Sequence, residues 1–143
     1  MNTLPLAFIA AAIAMITGQC WKIISPVFRG KPPIIRNALQ SGGMPSSHTA
    51  ATASMALVIG FHEGFNSSVF AVALVLTTVV AHDAVRVRGS INTIINILKK
   101  AAPQEFLDEE DTLPETIGHS VKEVVAGFVL AGIVTTGFLL FYI

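Results

Sequence analysis

Apolar positions fill this chain in four long blocks separated by short polar stretches, and the blocks predict membrane helices. The first covers residues 4–28 and carries no charge before Lys22. About twenty consecutive apolar residues cross the hydrocarbon core of a bilayer, so this block is long enough to span. No basic residue precedes it, and its far end holds Gln19, Lys22 and Arg29, which predicts a retained helix rather than a cleaved leader. The second block, 46–62, is rich in Ala, Ser and Thr, with Ala50 and Ser54 four apart. Small residues at that spacing let helices approach closely in lipid, so this helix is expected at the centre, capped by Ser46 or Ser47. His62-Glu63-Gly64-Phe65-Asn66 makes a tight turn into the third block, 67–85, which opens at Ser67 or Ser68 and completes a transmembrane hairpin. The fourth, 120–143, begins near Ser120 and repeats the small pair as Gly127 and Ala131.

The intervening stretches have their own patterns. Arg29-Gly30-Lys31-Pro32-Pro33 and Ser41-Gly42-Gly43-Met44-Pro45 are loop sequences around a short turn at 34–39. Ile91, Ile94, Ile95 and Leu98 recur at helical spacing with Asn92, Thr93, Asn96, Lys99 and Lys100 elsewhere around the turn, which predicts an interfacial amphipathic helix over 90–101, closed by Pro103. The 103–118 loop, with Glu105, Asp108, Glu109, Glu110, Asp111 and Glu115, has the composition of a solvated acidic connector, a divalent-cation site being the alternative. The expected architecture is one all-α domain over 1–143, a bundle of about four transmembrane helices plus one interfacial helix.

Composition supports the setting: 52% hydrophobic and 13% charged residues, with a mean hydropathy of +0.68, describe an integral membrane protein. Its formal charge is zero, but the nine Lys and Arg residues, at 22, 29, 31, 36, 86, 88, 99, 100 and 122, all fall on segments emerging at one side, and the 62–66 turn has none. The positive-inside rule puts that side in the cytoplasm, so the expected location is the inner cell membrane, multi-pass, with the basic end cytoplasmic. Nothing in the charge pattern calls for a nucleic-acid partner. Cys20 is the sole cysteine, so no intrachain disulfide can form. The Gly and Ala faces would also suit a homodimer.

Two histidines stand where a loop gives way to an apolar helix: His48 in Gly42-Gly43-Met44-Pro45-Ser46-Ser47-His48-Thr49-Ala50, and His119 in Gly118-His119-Ser120-Val121-Lys122-Glu123. Helix starts offer free N–H groups and the positive end of the macrodipole, so two that converge make an anion site, with phosphate the expected ligand. His119 and Glu123 are four apart, and a carboxylate on the same helix face can fix the tautomer of an imidazole and raise the basicity of its other nitrogen. The alternative is that Glu123 pairs with Lys122 or Arg88 and His119 merely caps the helix. Pro45-Ser46-Ser47 equally suits a plain capped helix start, although an ionisable residue beside a membrane helix favours a functional site. Lys22 and Arg29 could simply snorkel to headgroups. His82-Asp83 reads mainly as structural, with Asp83 pairing to an arginine, and His62 as an ordinary turn residue.

Together these segments resemble the type-2 phosphatidic acid phosphatase superfamily, which also includes the vanadium haloperoxidases, and within it the short divergent bacterial branch. The superfamily motifs are Lys-x6-Arg-Pro, Pro-Ser-x-His, and Ser-Arg followed by His-x3-Asp. Lys22 through Arg29 matches the first with Gly30 in place of proline; Pro45-Ser46-Ser47-His48 matches the second; His119 and Glu123 match the end of the third. The arginine that should precede His119 closely is absent, and Arg88, in Asp83-Ala84-Val85-Arg86-Val87-Arg88, is its candidate replacement. The divergent branch usually has Gly at the place of Arg86, and Arg36 competes with Arg29 as the first-motif cation.

The resemblance implies a metal-independent phosphatase that needs no cofactor and acts on a phosphomonoester or pyrophosphate of a polyprenyl or glycerolipid. His119, oriented by Glu123, would form a phosphohistidine, and His48 would serve as acid and then base. Lys22, Arg29, Ser47 and Arg88, with Arg36 and Asp83, would surround the substrate. Two other readings remain: a metal-dependent hydrolase using His48, His82, Asp83 and His119, and a non-catalytic protein that binds phosphate or lipid on the same scaffold. A haloperoxidase, which needs vanadate and is usually much larger, ranks last.

Overall fold

A computed structural model of the chain describes residues 5–33, 43–101 and 119–142, and the backbone alone at 88, 92 and 98–101. The 34–39 turn, Arg36, Pro103 and the 103–118 acidic loop lie outside the described residues. All the regular structure described is helical. Helix α1 runs Leu6–Ile24 and tightens into a 3₁₀ turn over Ser25–Arg29. Helix α2 spans Ser47–Glu63 and α3 spans Ser68–His82. A π turn, Asp83–Val87, carries the chain without a break into α4, Arg88–Ala101, and α5 is Val121–Tyr142.

The bundle is built around α2, which packs against α1, α3 and α5. Its buried positions are small or polar: Ser47, Thr49, Ala50, Ala51, Ala53, Ser54, Ala56, Val58 and Gly60. The neighbouring helices answer with small residues of their own. A Cβ on Gly18 of α1 would come within 3.1 Å of the Ser47 Cβ, and one on Gly127 of α5 would come within 2.6 Å of the Ser46 carbonyl oxygen. Such backbone approach replaces hydrophobic burial as the source of packing energy between helices in lipid. Ser54 and Thr135 hydroxyls, 2.9 Å apart, satisfy each other across the α2–α5 seam. Large side chains point the other way: Val72, Leu140 and Phe141 are 70%, 80% and 91% exposed, on faces that meet lipid.

Three helical stretches are long and apolar enough to cross a membrane: Leu6–Arg29, Ser68–Ile97 and Val121–Tyr142. Helix α2, at 17 residues and with its Ser and Thr content, falls short of that length and is instead enclosed by the other three. The central position expected for it is observed.

Two boundaries differ from expectation. Ser46 occupies the N-cap position of α2, but its hydroxyl lies 2.9 Å from Thr49 Oγ1 and caps no backbone N–H. Ser67, in contrast, caps α3 as expected, its Oγ accepting the Phe70 N–H at 3.2 Å. The amphipathic stretch is not a separate helix lying apart from the third span: α3, the π turn and α4 form one continuous helical run. No Gly or Pro falls between Ser68 and Arg88 to break it, and the i→i+5 turn absorbs the change of register.

Candidate active site

The C-terminal ends of α1 and α3 and the N-terminal ends of α2 and α5 meet at one end of the bundle. Three contacts bind them there. Lys22 Nζ, on the last turn of α1, donates to Ser47 Oγ at 3.5 Å; the Ser46 N–H donates to the Glu123 carbonyl at 2.9 Å; and the His119 N–H donates to the Ala84 carbonyl at 3.0 Å. The starts of α2 and α5 therefore adjoin.

Glu123 is the hub. Its Oε2 lies 3.0 Å from His119 Nδ1 and accepts the Ser120 N–H at 3.1 Å, while the Glu123 N–H donates to Ser120 Oγ at 3.4 Å. The last two bonds form a capping box, Ser at the N-cap and Glu three residues on. An ionised carboxylate only accepts, so His119 Nδ1 carries a proton; Nε2, the other ring nitrogen, is a buried atom. Glu123 pairs with His119, as the first of the two sequence readings has it, and Lys122 is exposed. Glu123 is also within electrostatic reach of Lys22, an opposite charge at a place where isolated charges would be expensive.

The remaining expected residues distribute as follows. Ser47 and Lys22 are buried, at 0% and 4% exposure, and belong to the contact set just described. His48, one residue into α2, is exposed, its carbonyl accepting the Thr52 hydroxyl at 3.1 Å. Asp83 is half-buried at the start of the π turn, next to the Ala84 carbonyl that anchors His119. Arg88 begins α4, its backbone alone described, and Arg36 is outside the described residues. Arg29 is exposed at the end of the 3₁₀ turn, lining a groove with Trp21, Ser25, Phe28 and Met44 rather than sitting in the buried contact set. Among the described residues no three His, Cys, Asp or Glu side chains gather to hold a metal ion, so the set His48, His82, Asp83 and His119 is not assembled as ligands.

Gly30, the departure from the first motif, has a physical reason. It adopts φ +70° and its N–H donates to the Val27 carbonyl at 3.0 Å, closing the 3₁₀ turn. Proline has no N–H to donate and cannot adopt that φ.

Sequence reasoning passed over two contributors. Ser120 was detectable, since Ser-x-x-Glu before an apolar run is a capping signature. Ala84 was not: it acts through its carbonyl, which every residue carries.

The class that the fold defines is an all-helical membrane bundle, with the His119–Glu123 pair and the buried Lys22–Ser47 contact at the same end. The chain is a member of the Divergent PAP2 family, whose sequence model matches residues 5–135. It is similar to the uncharacterized membrane protein YuiD of Bacillus subtilis (strain 168), 34% identical over 113 residues that cover 67% of this chain and 69% of the relative. No solved structure matches it.

Proposed function

We propose that this protein is a metal-independent lipid phosphatase that cleaves a phosphomonoester or pyrophosphate of a polyprenyl or glycerolipid through a phosphohistidine. The observation that carries the reading is the 3.0 Å pairing of His119 Nδ1 with Glu123 at the end of the bundle where Lys22 meets Ser47. A carboxylate–imidazole pair leaves Nε2 basic and fixed in direction, as a nucleophile requires.

Lys22 and the Ser47 hydroxyl bind phosphate oxygens, with Arg29 and Arg88 as further cations, and the charge spread over those oxygens in transfer is met by groups already in place. His119 Nε2 attacks phosphorus in line, the P–O bond to the leaving group breaks, and His48 gives its proton to the departing oxygen, that of the lipid alkoxide from a monoester or of the lipid phosphate from a pyrophosphate. His48, now neutral, takes a proton from water; the hydroxide attacks phosphorus, the P–N bond breaks, and inorganic phosphate leaves. The division of labour suits the two environments. A nucleophile works best with its tautomer locked and water held away, whereas an acid–base group must exchange protons with solvent, and His48 is exposed. The basic end that carries the site faces the cytoplasm, following the distribution of Lys and Arg.

The test is phosphate release by the purified full chain in neutral detergent, from a panel of polyprenyl and glycerolipid phosphates, in the presence of chelator. Turnover that survives chelation and is lost in both His119→Ala and His48→Ala, with helical content retained, is the expected result. An unchanged rate in His119→Ala removes the mechanism. Loss in chelator that a divalent ion restores selects metal-dependent hydrolysis, and headgroup binding with no turnover selects a binding protein.

A further inference from the structure

Helix α1 ends with two chemically distinct faces. Ala14, Gly18 and Lys22 are buried in the bundle. Trp21, Ser25 and Phe28, four and then three residues apart, share another side of the helix and its 3₁₀ extension, and with Arg29 and Met44 they line a groove of about 380 Å³. The Trp21 and Phe28 rings stack at 5.9 Å with an interplanar angle of 25°. These rings and the Met44 side chain are half or more exposed, so among the described residues the groove is apolar, open and unfilled.

Three features say what covers it. Among the described residues its one charged group is the Arg29 guanidinium, joined by the Ser25 hydroxyl, so the complementary ligand is an anion with an apolar body. Aromatic side chains at the end of a membrane helix sit at headgroup level, where an amphiphile presents the boundary between its head and its chain. The groove is also at the same end of the bundle as the candidate active site, built from the residues next to it in the chain: Trp21 precedes Lys22, and Met44 precedes Pro45-Ser46-Ser47.

We infer that the Trp21–Phe28–Met44 groove holds the upper hydrocarbon chain of an anionic lipid phosphate whose headgroup lies between Arg29 and the Lys22–Ser47 pair. The inference rests on the proposed function for the identity of the headgroup, and it deepens it by giving the chain an exit along α1. In this arrangement Arg29 works from the groove side of the headgroup, two helical turns from Lys22, which accounts for its exposed position.

Trp21 is the only tryptophan in the protein, so its fluorescence reports this groove alone. The full chain in neutral detergent micelles is titrated with phosphatidic acid carrying brominated acyl chains and, separately, with phosphatidylcholine carrying the same chains; bromine quenches tryptophan on contact. The expected result is saturable quenching by the phosphatidic acid at about tenfold lower mole fraction than by the phosphatidylcholine, the size of one charge-assisted hydrogen bond. Arg29→Gln should erase that preference. Met44→Ser should weaken quenching by both lipids, which keeps the test sound if the arginine variant misfolds. Equal quenching by the two lipids at equal mole fraction means annular contact only and overturns the groove. Selective quenching in a protein that releases no phosphate leaves the groove standing and removes the phosphatase reading; turnover without selective quenching does the reverse.

Discussion

The two ends of the bundle are closed by different chemistry. At the basic end, polar groups bond across elements: Lys22 to Ser47, Ser46 to Glu123, His119 to Ala84 and His119 to Glu123. At the opposite end, Ser67 caps its own helix at Phe70 and the closure is aromatic, with Phe65 edge-on to both Phe61 and Phe70 at centroid distances of 5.3 and 5.1 Å. That end also has a larger groove, about 530 Å³, walled mainly by apolar side chains from α1, α2 and α3. Apolar contacts tolerate adjustment, whereas hydrogen bonds fix direction and distance. The far end is closed by apolar packing, and the basic end sets particular atoms at particular places.

Substitutions should separate the two roles. The largest effect on chemistry is expected from Glu123→Gln. Glutamine still serves a capping box, so thermal unfolding in detergent should move little, but the lost charge no longer orients and polarises His119, and turnover should fall by about 10²–10⁴-fold. A matched loss of stability and activity would mean that Glu123 is only a cap. Next is Gly127→Val. Its Cβ would meet the Ser46 carbonyl at 2.6 Å, forcing α5 from α2 precisely where the site is assembled. About 3 kcal/mol of destabilisation is expected, with turnover lost along with the close approach. The smallest is Phe65→Ala at the far end, which removes two edge-to-face pairs, lowers stability by about 2 kcal/mol and leaves the rate of the folded fraction unchanged. A rate change there would show the two ends to be coupled.

Much of this contrast was written in side-chain types. Ala50 and Ser54, and Gly127 and Ala131, announce the tight seam of α2 with α5 because in lipid only small residues let backbones meet. The four-residue spacing of His119 and Glu123 suggested their pairing on one helix face, but His119 stands just before the N-cap Ser120, outside α5, and the pairing is made across the capping turn. Backbone chemistry was far less legible. The Ala84 carbonyl that anchors His119, and the continuity of α3 with α4 through the π turn, depend on which main-chain groups are left over, and no side chain signals that. Arg29 marks a different limit: motif spacing places it at the end of α1, but whether it turns into the bundle or along the Trp21 face depends on the 3₁₀ turn and on Gly30 at φ +70°.

The account's central claim is that His119 takes the phosphoryl group. Its most direct test is to mix the purified chain with a ³²P-labelled aryl phosphate ester of a lipid-like chain, quench in base within the first turnovers, and map the label. An aryl leaving group needs no proton from His48, so in His48→Ala the first step should proceed while hydrolysis stalls. The predicted result is an acid-labile, base-stable phosphoryl group on His119 that accumulates in His48→Ala and is absent in His119→Ala. Continued phosphate release with no label on His119, or label unaffected by His119→Ala, would contradict it.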